Sequence, residues 1–137
     1  MSDEALGEAL FALTALSVRR RHRELSLTAA STLSTLERAG PRRLTDLAVS
    51  EEVTQPSMTV LVGQLVGQGL VERRRDAGDA RVVLVAITDD GCEKLRTMRR
   101  VGAGVFTTLV DKLDPDERAA LLAALPTLNR LTKLAAS

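Results

Sequence analysis

Arginine supplies the most distinctive chemistry in this sequence. Arg73, Arg74, Arg75 and Arg81 bracket a short tip, Asp76–Ala80, and other arginines cluster at 42–43 and 19–23. A guanidinium stays charged and offers a planar fork of donors, which suits phosphates and base edges. Just upstream lie Thr54, Gln55, Ser57, Thr59 and Gln64, uncharged side chains that hydrogen-bond, with Val60 among them. Gln can pair bidentately with adenine, Ser can serve phosphate or base, and an exposed Val can touch a thymine methyl. Groups for bond-making are missing: there is no nucleophile–base pair, metal cluster or phosphate-binding glycine loop. His22 lies in an arginine run without Cys, Asp or Glu partners at ligand spacing, so it is no metal site. The expected activity is recognition, with no enzyme chemistry and no cofactor.

Two local patterns must position these groups. Thr54 can cap a helix and Pro56 fits its first turn. Met58, Leu61, Val62 and Leu65 recur at spacings of three and four and face inward. That leaves Gln55, Ser57, Thr59, Val60, Gly63 and Gln64 on the outer surface, and Gly67 and Gly69 stop the helix. The period then changes. Val71–Arg75 and Arg81–Thr88 read as two strands around the tip. Val83, Val85 and Ile87 are expected to face the core. Val82, Leu84 and Ala86 make a second apolar face, which is either covered in a dimer, the favoured reading, or left as an exposed apolar patch. A polar-faced helix feeding an arginine-tipped hairpin suits duplex DNA: the helix fits the major groove and the tip reaches a neighbouring groove.

The segment GLVERRRDAGDARVVLVAITDDG resembles the wing signature of the MarR family of bacterial transcription regulators, through Asp79, Arg81, Ile87, Thr88 and Gly91. TQPSMTVLVGQL resembles that family's recognition helix. The resemblance spans about Leu27 to Leu131. It implies a mainly α fold with a small β-hairpin wing: a winged helix-turn-helix lobe at about 27–88, flanked by dimerisation helices at about 3–24 and 89–134. It also implies a homodimeric, sequence-specific regulator, a repressor of nearby genes that binds a pseudo-palindromic duplex operator. A small apolar or phenolic effector is expected between the dimerising helices and the DNA-binding lobes. The residues expected at DNA are Thr54, Gln55, Ser57, Thr59, Val60, Gln64, Arg73, Arg75 and Arg81. Asp79 is expected to pair with an arginine and shape the tip. Relatives are expected to carry Arg near Val60, and its absence argues against guanine reading by this helix.

The remaining segments read as helices. The first runs from Asp3 to about Glu24, with Leu6, Leu10, Leu13 and Leu16 in a stripe beside Phe11; the following arginines could contact phosphates or simply be a solvated end. A second covers Leu27–Ala39, with Thr28 near its start, Leu33 and Leu36 inward, and Gly40–Pro41 ending it. The resemblance assigns Thr45 or Asp46 to Ser50 as the first helix of the helix-turn-helix and Glu51–Val53 as its turn. A long helix is expected from Asp89 or Asp90 to about Lys112, weakened at Gly102 and Gly104. Asp114 and Pro115 open a last helix carrying Leu121, Leu122, Leu125, Leu128 and Leu131, kinked at Pro126. These terminal helices have more apolar surface than a small winged helix can cover, and the intertwined dimer that the resemblance implies would bury it.

A length of 137 residues suits one compact domain or a small core extended by dimerising helices, and 45% hydrophobic residues suffice for a core. Only Phe11 and Phe106 are aromatic, which argues against single-stranded nucleic acid bound by base stacking. The net charge of +1 decides nothing by itself. Leu10–Val18 is apolar but too short for a bilayer, and arginine follows it, so no signal peptide, no membrane partner and a cytoplasmic location are expected. Cys92 is the only cysteine, which excludes an intramolecular disulfide. Two alternatives stand beside the regulator: a winged-helix protein-interaction module without DNA binding, and a thiol redox regulator acting through Cys92 near a helix start.

Overall fold

A computed structural model describes residues 2–19 and 25–135. Among these residues the order is α1 (Asp3–Arg19), α2 (Leu27–Ala39), α3 (Leu44–Ser50), α4 (Gln55–Gly67), β1 (Val71–Arg75), β2 (Val83–Ile87), α5 (Asp89–Val110), α6 (Pro115–Ala123) and α7 (Leu125–Ala135). The architecture is mainly helical with one two-stranded antiparallel hairpin, as expected. It divides into two compact units, Met1–Arg100 and Val101–Ser137. The expected continuation of the first helix through His22 to Glu24 lies outside the described residues.

The core of the first unit is built by α2, α3, α4 and the hairpin. Leu33 and Leu36 of α2, Leu47 of α3, Met58, Val62 and Leu65 of α4, and Val71 and Val85 of the strands are all removed from solvent. Burying side chains of this size contributes about 1.5–3 kcal/mol each. Leu61 packs at the edge of this cluster. Ser26 caps α2: its Oγ accepts from the Ala29 N–H at 3.1 Å. Helix α3 begins at Leu44, one residue before the expected Thr45, and Val49 is exposed while Leu47 and Ala48 are buried.

Thr54 caps α4 as expected, accepting from the Ser57 N–H at 3.2 Å. Gly67 still belongs to the helix; Gly69 ends it. The Gly69 N–H donates to the Val66 carbonyl and the Leu70 N–H to the Leu65 carbonyl, both at 3.0 Å. That pair of bonds requires a left-handed residue, and Gly69 takes it at φ 74°. Leu70 is then buried with Leu65 in the core.

The hairpin register pairs Val71 with Ile87, Arg73 with Val85 and Arg75 with Val83. The second strand is shorter than expected. Arg81 and Val82 belong to the tip, where the Val82 N–H donates to the Asp79 carbonyl at 3.0 Å and the Asp76 N–H to the Val82 carbonyl at 2.9 Å. Val83, expected inward, is exposed, whereas Val85 and Ala86 are both buried, one on each face of the strand. Ala86 is therefore covered within this chain, so the second apolar face does not depend on a dimer at that position. Arg42 extends the sheet: its N–H donates to the Val85 carbonyl at 3.0 Å and its carbonyl accepts from the Val85 N–H at 2.7 Å.

Thr88, expected as the last strand residue, instead joins three elements. Its N–H donates to the Leu70 carbonyl at 3.1 Å, and its hydroxyl donates to the Gly69 carbonyl at 2.6 Å and accepts from the Gly91 N–H at 3.0 Å. Gly91 is buried against this joint. A Cβ there would overlap the Leu70 carbonyl oxygen and lie 2.6 Å from Ile87 Cγ1.

In the second unit Asp114 and Glu117 form a reciprocal capping box, at 2.8 Å and 3.1 Å. The expected single kinked helix is two elements, α6 and α7, separated at Ala124, with Pro126 in the first turn of α7. Neither helix has a buried residue.

Gly91→Ala should lower stability by roughly 1–3 kcal/mol, because overlap with a backbone carbonyl outweighs the ~1 kcal/mol by which Ala is the better helix former. Thr88→Val should lose about 0.5–1.5 kcal/mol, the net worth of a hydrogen bond whose exposed Gly69 carbonyl can turn to water. Urea denaturation checks both; a wild-type midpoint in either variant would contradict the joint described above.

Candidate nucleic-acid interface

The outer face of α4 is held by a short turn. The Glu51 N–H donates to the Leu47 carbonyl at 2.9 Å, and the Val53 N–H to the Ala48 carbonyl at 3.0 Å. Glu52 sits between them at φ 56°, a left-handed conformation uncommon for glutamate. Thr35 of α2 braces the turn by donating its hydroxyl to Glu51 Oε1 at 3.0 Å. These bonds set the angle at which α4 leaves α3.

All six positions predicted on this segment are exposed: Thr54, Gln55, Ser57, Thr59, Val60 and Gln64. They are not equally free. The Thr54 hydroxyl donates to Ser57 Oγ at 2.8 Å while accepting the Ser57 N–H, so it is occupied in capping. The Thr59 hydroxyl donates to the Gln55 carbonyl at 2.9 Å. The Gln55 and Gln64 amides and the Ser57 hydroxyl proton keep their donor capacity, and Val60 stands out at 62% exposure.

The wing supplies the charge. Arg73 and Arg75 share one face of β1 and Arg74 the other, where it pairs with Glu72 at 2.7 Å. Arg75 closes the tip by donating Nη1 to the Ala80 carbonyl at 2.7 Å. Asp79 organises the tip as expected. Its Oδ1 accepts from the Arg81 N–H at 3.0 Å and from Arg81 Nε at 3.1 Å, and its Oδ2 accepts from Arg81 Nη2 at 3.2 Å. The Arg81 side chain nonetheless remains 91% exposed, so the clasp orients the guanidinium without hiding it. These bonds hold the Asp79 carboxyl below its ordinary value, the Arg81 side chain contributing most, with a further attraction from Arg43.

Arg42 and Arg43 are the positions that sequence reasoning did not assign to the interface. Folding sets Arg42 beside Val85, so that Arg42, Val85 and Arg73 form one row across the sheet. Arg43 comes close enough to act on Asp79. The only signal in the sequence was an arginine pair directly before the first helix of the helix-turn-helix.

The other singled-out residue, Cys92, lies in the first turn of α5, half-buried, its N–H donating to the Thr88 carbonyl at 3.0 Å. Among the described residues no helix is long and apolar enough to cross a membrane.

Comparison with known proteins gives a consistent result. A sequence model of the MarR family matches residues 25–83. An uncharacterised HTH-type transcriptional regulator of Mycobacterium bovis is 33% identical over 128 residues, covering 90% of each chain. Another, of Mycobacterium leprae, is 32% identical over 106 residues, covering 77% of this chain and 74% of its own. Among solved structures, a transcriptional regulator of Thermotoga maritima superposes with a TM-score of 0.78 at 21% identity, covering 96% of this chain and 93% of that one. A MepR mutant of S. aureus bound to an oligodeoxyribonucleotide has a TM-score of 0.70 at 20% identity, covering 98% and 99%. These two structural likenesses concern the fold.

The clasp can be checked by titration. A carboxyl whose folded value is depressed contributes stability that is present above its unfolded value and lost as pH falls through the folded one. The Asp79–Arg81 contact should therefore be intact at neutral pH and loosen only in acid, below the ordinary aspartate range. Side-chain NMR should show Asp79 titrating below that range in the wild type and moving up toward it in Arg81→Ala. An Asp79 midpoint identical in both proteins would remove the clasp.

Proposed function

The chain belongs to the MarR family of transcription regulators, and from that premise we propose that it is a homodimeric, effector-responsive repressor acting on a pseudo-palindromic duplex operator. The observation that carries this reading is the juxtaposition of an exposed, hydrogen-bonding face on α4 with a wing whose tip arginine is held outward by Asp79. In this reading α4 enters the major groove and Arg81 a flanking minor groove, where negative potential is strongest when the groove is narrow. Arg43, Arg73 and Arg75 lie where backbone phosphates would pass. The lobe at 27–88 binds DNA, and the segments at 3–24 and 89–134 dimerise.

Support for the dimer comes from apolar surface. Leu6, Phe11 and Leu13 of α1 are exposed. So are Leu121, Leu122, Leu125, Leu128, Leu131 and Leu134 of α6 and α7. Patches of this kind mark association surfaces on a water-soluble chain. Two half-sites about one helical turn apart, roughly 10 bp centre to centre, follow from two-fold symmetry.

An effector of the apolar or phenolic class would shift the spacing of the two α4 helices, and only to the extent that it prefers one spacing. A cytoplasmic location fits this role. Cys92 is assigned a structural part, since its surroundings include no second cysteine in the chain.

Sedimentation at micromolar concentration should show a dimer; a monomer would sink the repressor reading. Arg81→Ala should weaken operator binding by about 1–3 kcal/mol and make the salt slope shallower by about one counterion. Wild-type affinity in Arg81→Ala would refute the minor-groove role of the wing. Cys92→Ser should respond to peroxide as the wild type does, with little change in DNA affinity. A loss confined to oxidised wild type would favour the redox reading instead.

A further inference from the structure

We propose that α4 reads adenine–thymine pairs, with Val60 set against a thymine 5-methyl group and Gln64 against an adenine edge, and that no guanine is read by this helix. The inference rests on the DNA-binding reading above and specifies what that site selects. From Gln55 to Gly67 the helix carries no charged residue at all. Guanine offers two acceptors in the major groove, N7 and O6, and is matched by the paired donors of arginine or by lysine. Adenine offers an acceptor beside a donor, which the carbonyl and amide of a glutamine match, and thymine adds a methyl group. The arginines of the interface all lie off this helix, before α3 and on the wing.

The geometry of α4 places Val60 where such a contact would be made. Met58, Val62 and Leu65 are buried, and at 100° per residue the side directly opposite carries Pro56, Val60, Gly63 and Gly67. Of these only Val60 projects an apolar side chain well past the backbone. Branching at Cβ restricts its rotamers, so its methyls have a well-defined position. Gln64 lies one turn on, beside this stripe, and is exposed. Gly63 has no packing reason among the described residues: a Cβ there would meet nothing within 4 Å. Mid-helix glycine is about 1 kcal/mol worse than alanine, yet Gly63 stands on the outward side of α4. It leaves bare backbone beside Val60, which permits close approach of a base edge. The Thr59 hydroxyl is bonded to the Gln55 carbonyl, which leaves it less available for a base.

The test uses the full chain and duplex DNA alone. Wild type, Val60→Ala and Val60→Arg are each used to enrich duplexes from a random library, after circular dichroism and sedimentation confirm matched folding. Val60 is exposed, so these substitutions leave the core intact. Wild type should enrich half-sites with A·T at the position whose preference Val60→Ala relaxes, and Val60→Arg should move that position toward guanine. Replacing the thymine there by uracil removes only its methyl group. That should weaken wild-type binding about fourfold, the worth of one buried carbon, and leave Val60→Ala unaffected. A guanine enriched at that position by wild type, or an equal uracil effect in both proteins, overturns the inference while sparing the DNA-binding reading. Failure of wild type to enrich any duplex overturns both.

Discussion

The hydroxyl of Thr88 ties the wing to the end of α4 and the start of α5. It donates to the carbonyl of Gly69, where α4 has just ended, and accepts from the N–H of Gly91, where α5 has just begun. The backbone bond from Thr88 to Leu70 lies alongside, and Gly91 presses against the same carbonyl so closely that no Cβ fits. The end of the helix proposed to read DNA, the last strand of the wing and the first turn of α5 are thereby one junction. A displacement of the start of α5 cannot leave the end of α4 behind without breaking these bonds.

Around that junction the work is divided by chemistry. Helix α4 has hydrogen-bonding and apolar groups but no charge, while the arginines sit on the hairpin and just before α3. Charge acts on phosphates at any sequence, whereas amides and methyl groups distinguish bases. Separating the two lets affinity and selectivity be set by different elements. The acid at the tip fits the same scheme. Asp79 would be repelled by phosphates as a free carboxylate, but here it accepts three hydrogen bonds from Arg81 and limits where that guanidinium can point. In the second unit α6 is closed by a capping box, yet neither α6 nor α7 buries a residue, which leaves their leucines available to a partner.

Much of this was legible in the chain itself, for local reasons. Cap and glycine signals act within a few residues, so Thr54, Asp114 and the stop near Gly69 could be read directly. The inward set Met58, Val62 and Leu65 followed from helical period alone, and with it the outward set. The pairing of Asp79 with an arginine two residues away is likewise a local bond. Where local signals conflict, reading failed. Val83, Val85 and Ile87 alternate as an inward face should, yet Val83 is exposed because it sits at the tip end of the hairpin, beyond the reach of the core.

The amino-acid order by itself determined most of the elements, the caps at Thr54 and Asp114 and the exposed face of α4, since these depend on neighbours within one or two turns. Tertiary structure alone decided what depends on contacts distant in sequence. Arg42 pairs with Val85 across 43 positions of chain, which nothing in either segment announces. Thr88 looked like the end of a strand until the fold brought Gly69 and Leu70 to it, and Gly91 looked like an ordinary residue in a signature until a carbonyl occupied the space of its side chain. Ala86, one apolar residue too many for a half-exposed strand, is buried because the chain folds over both faces at that point. Such positions are set by which surfaces meet, and that is a property of the packed whole.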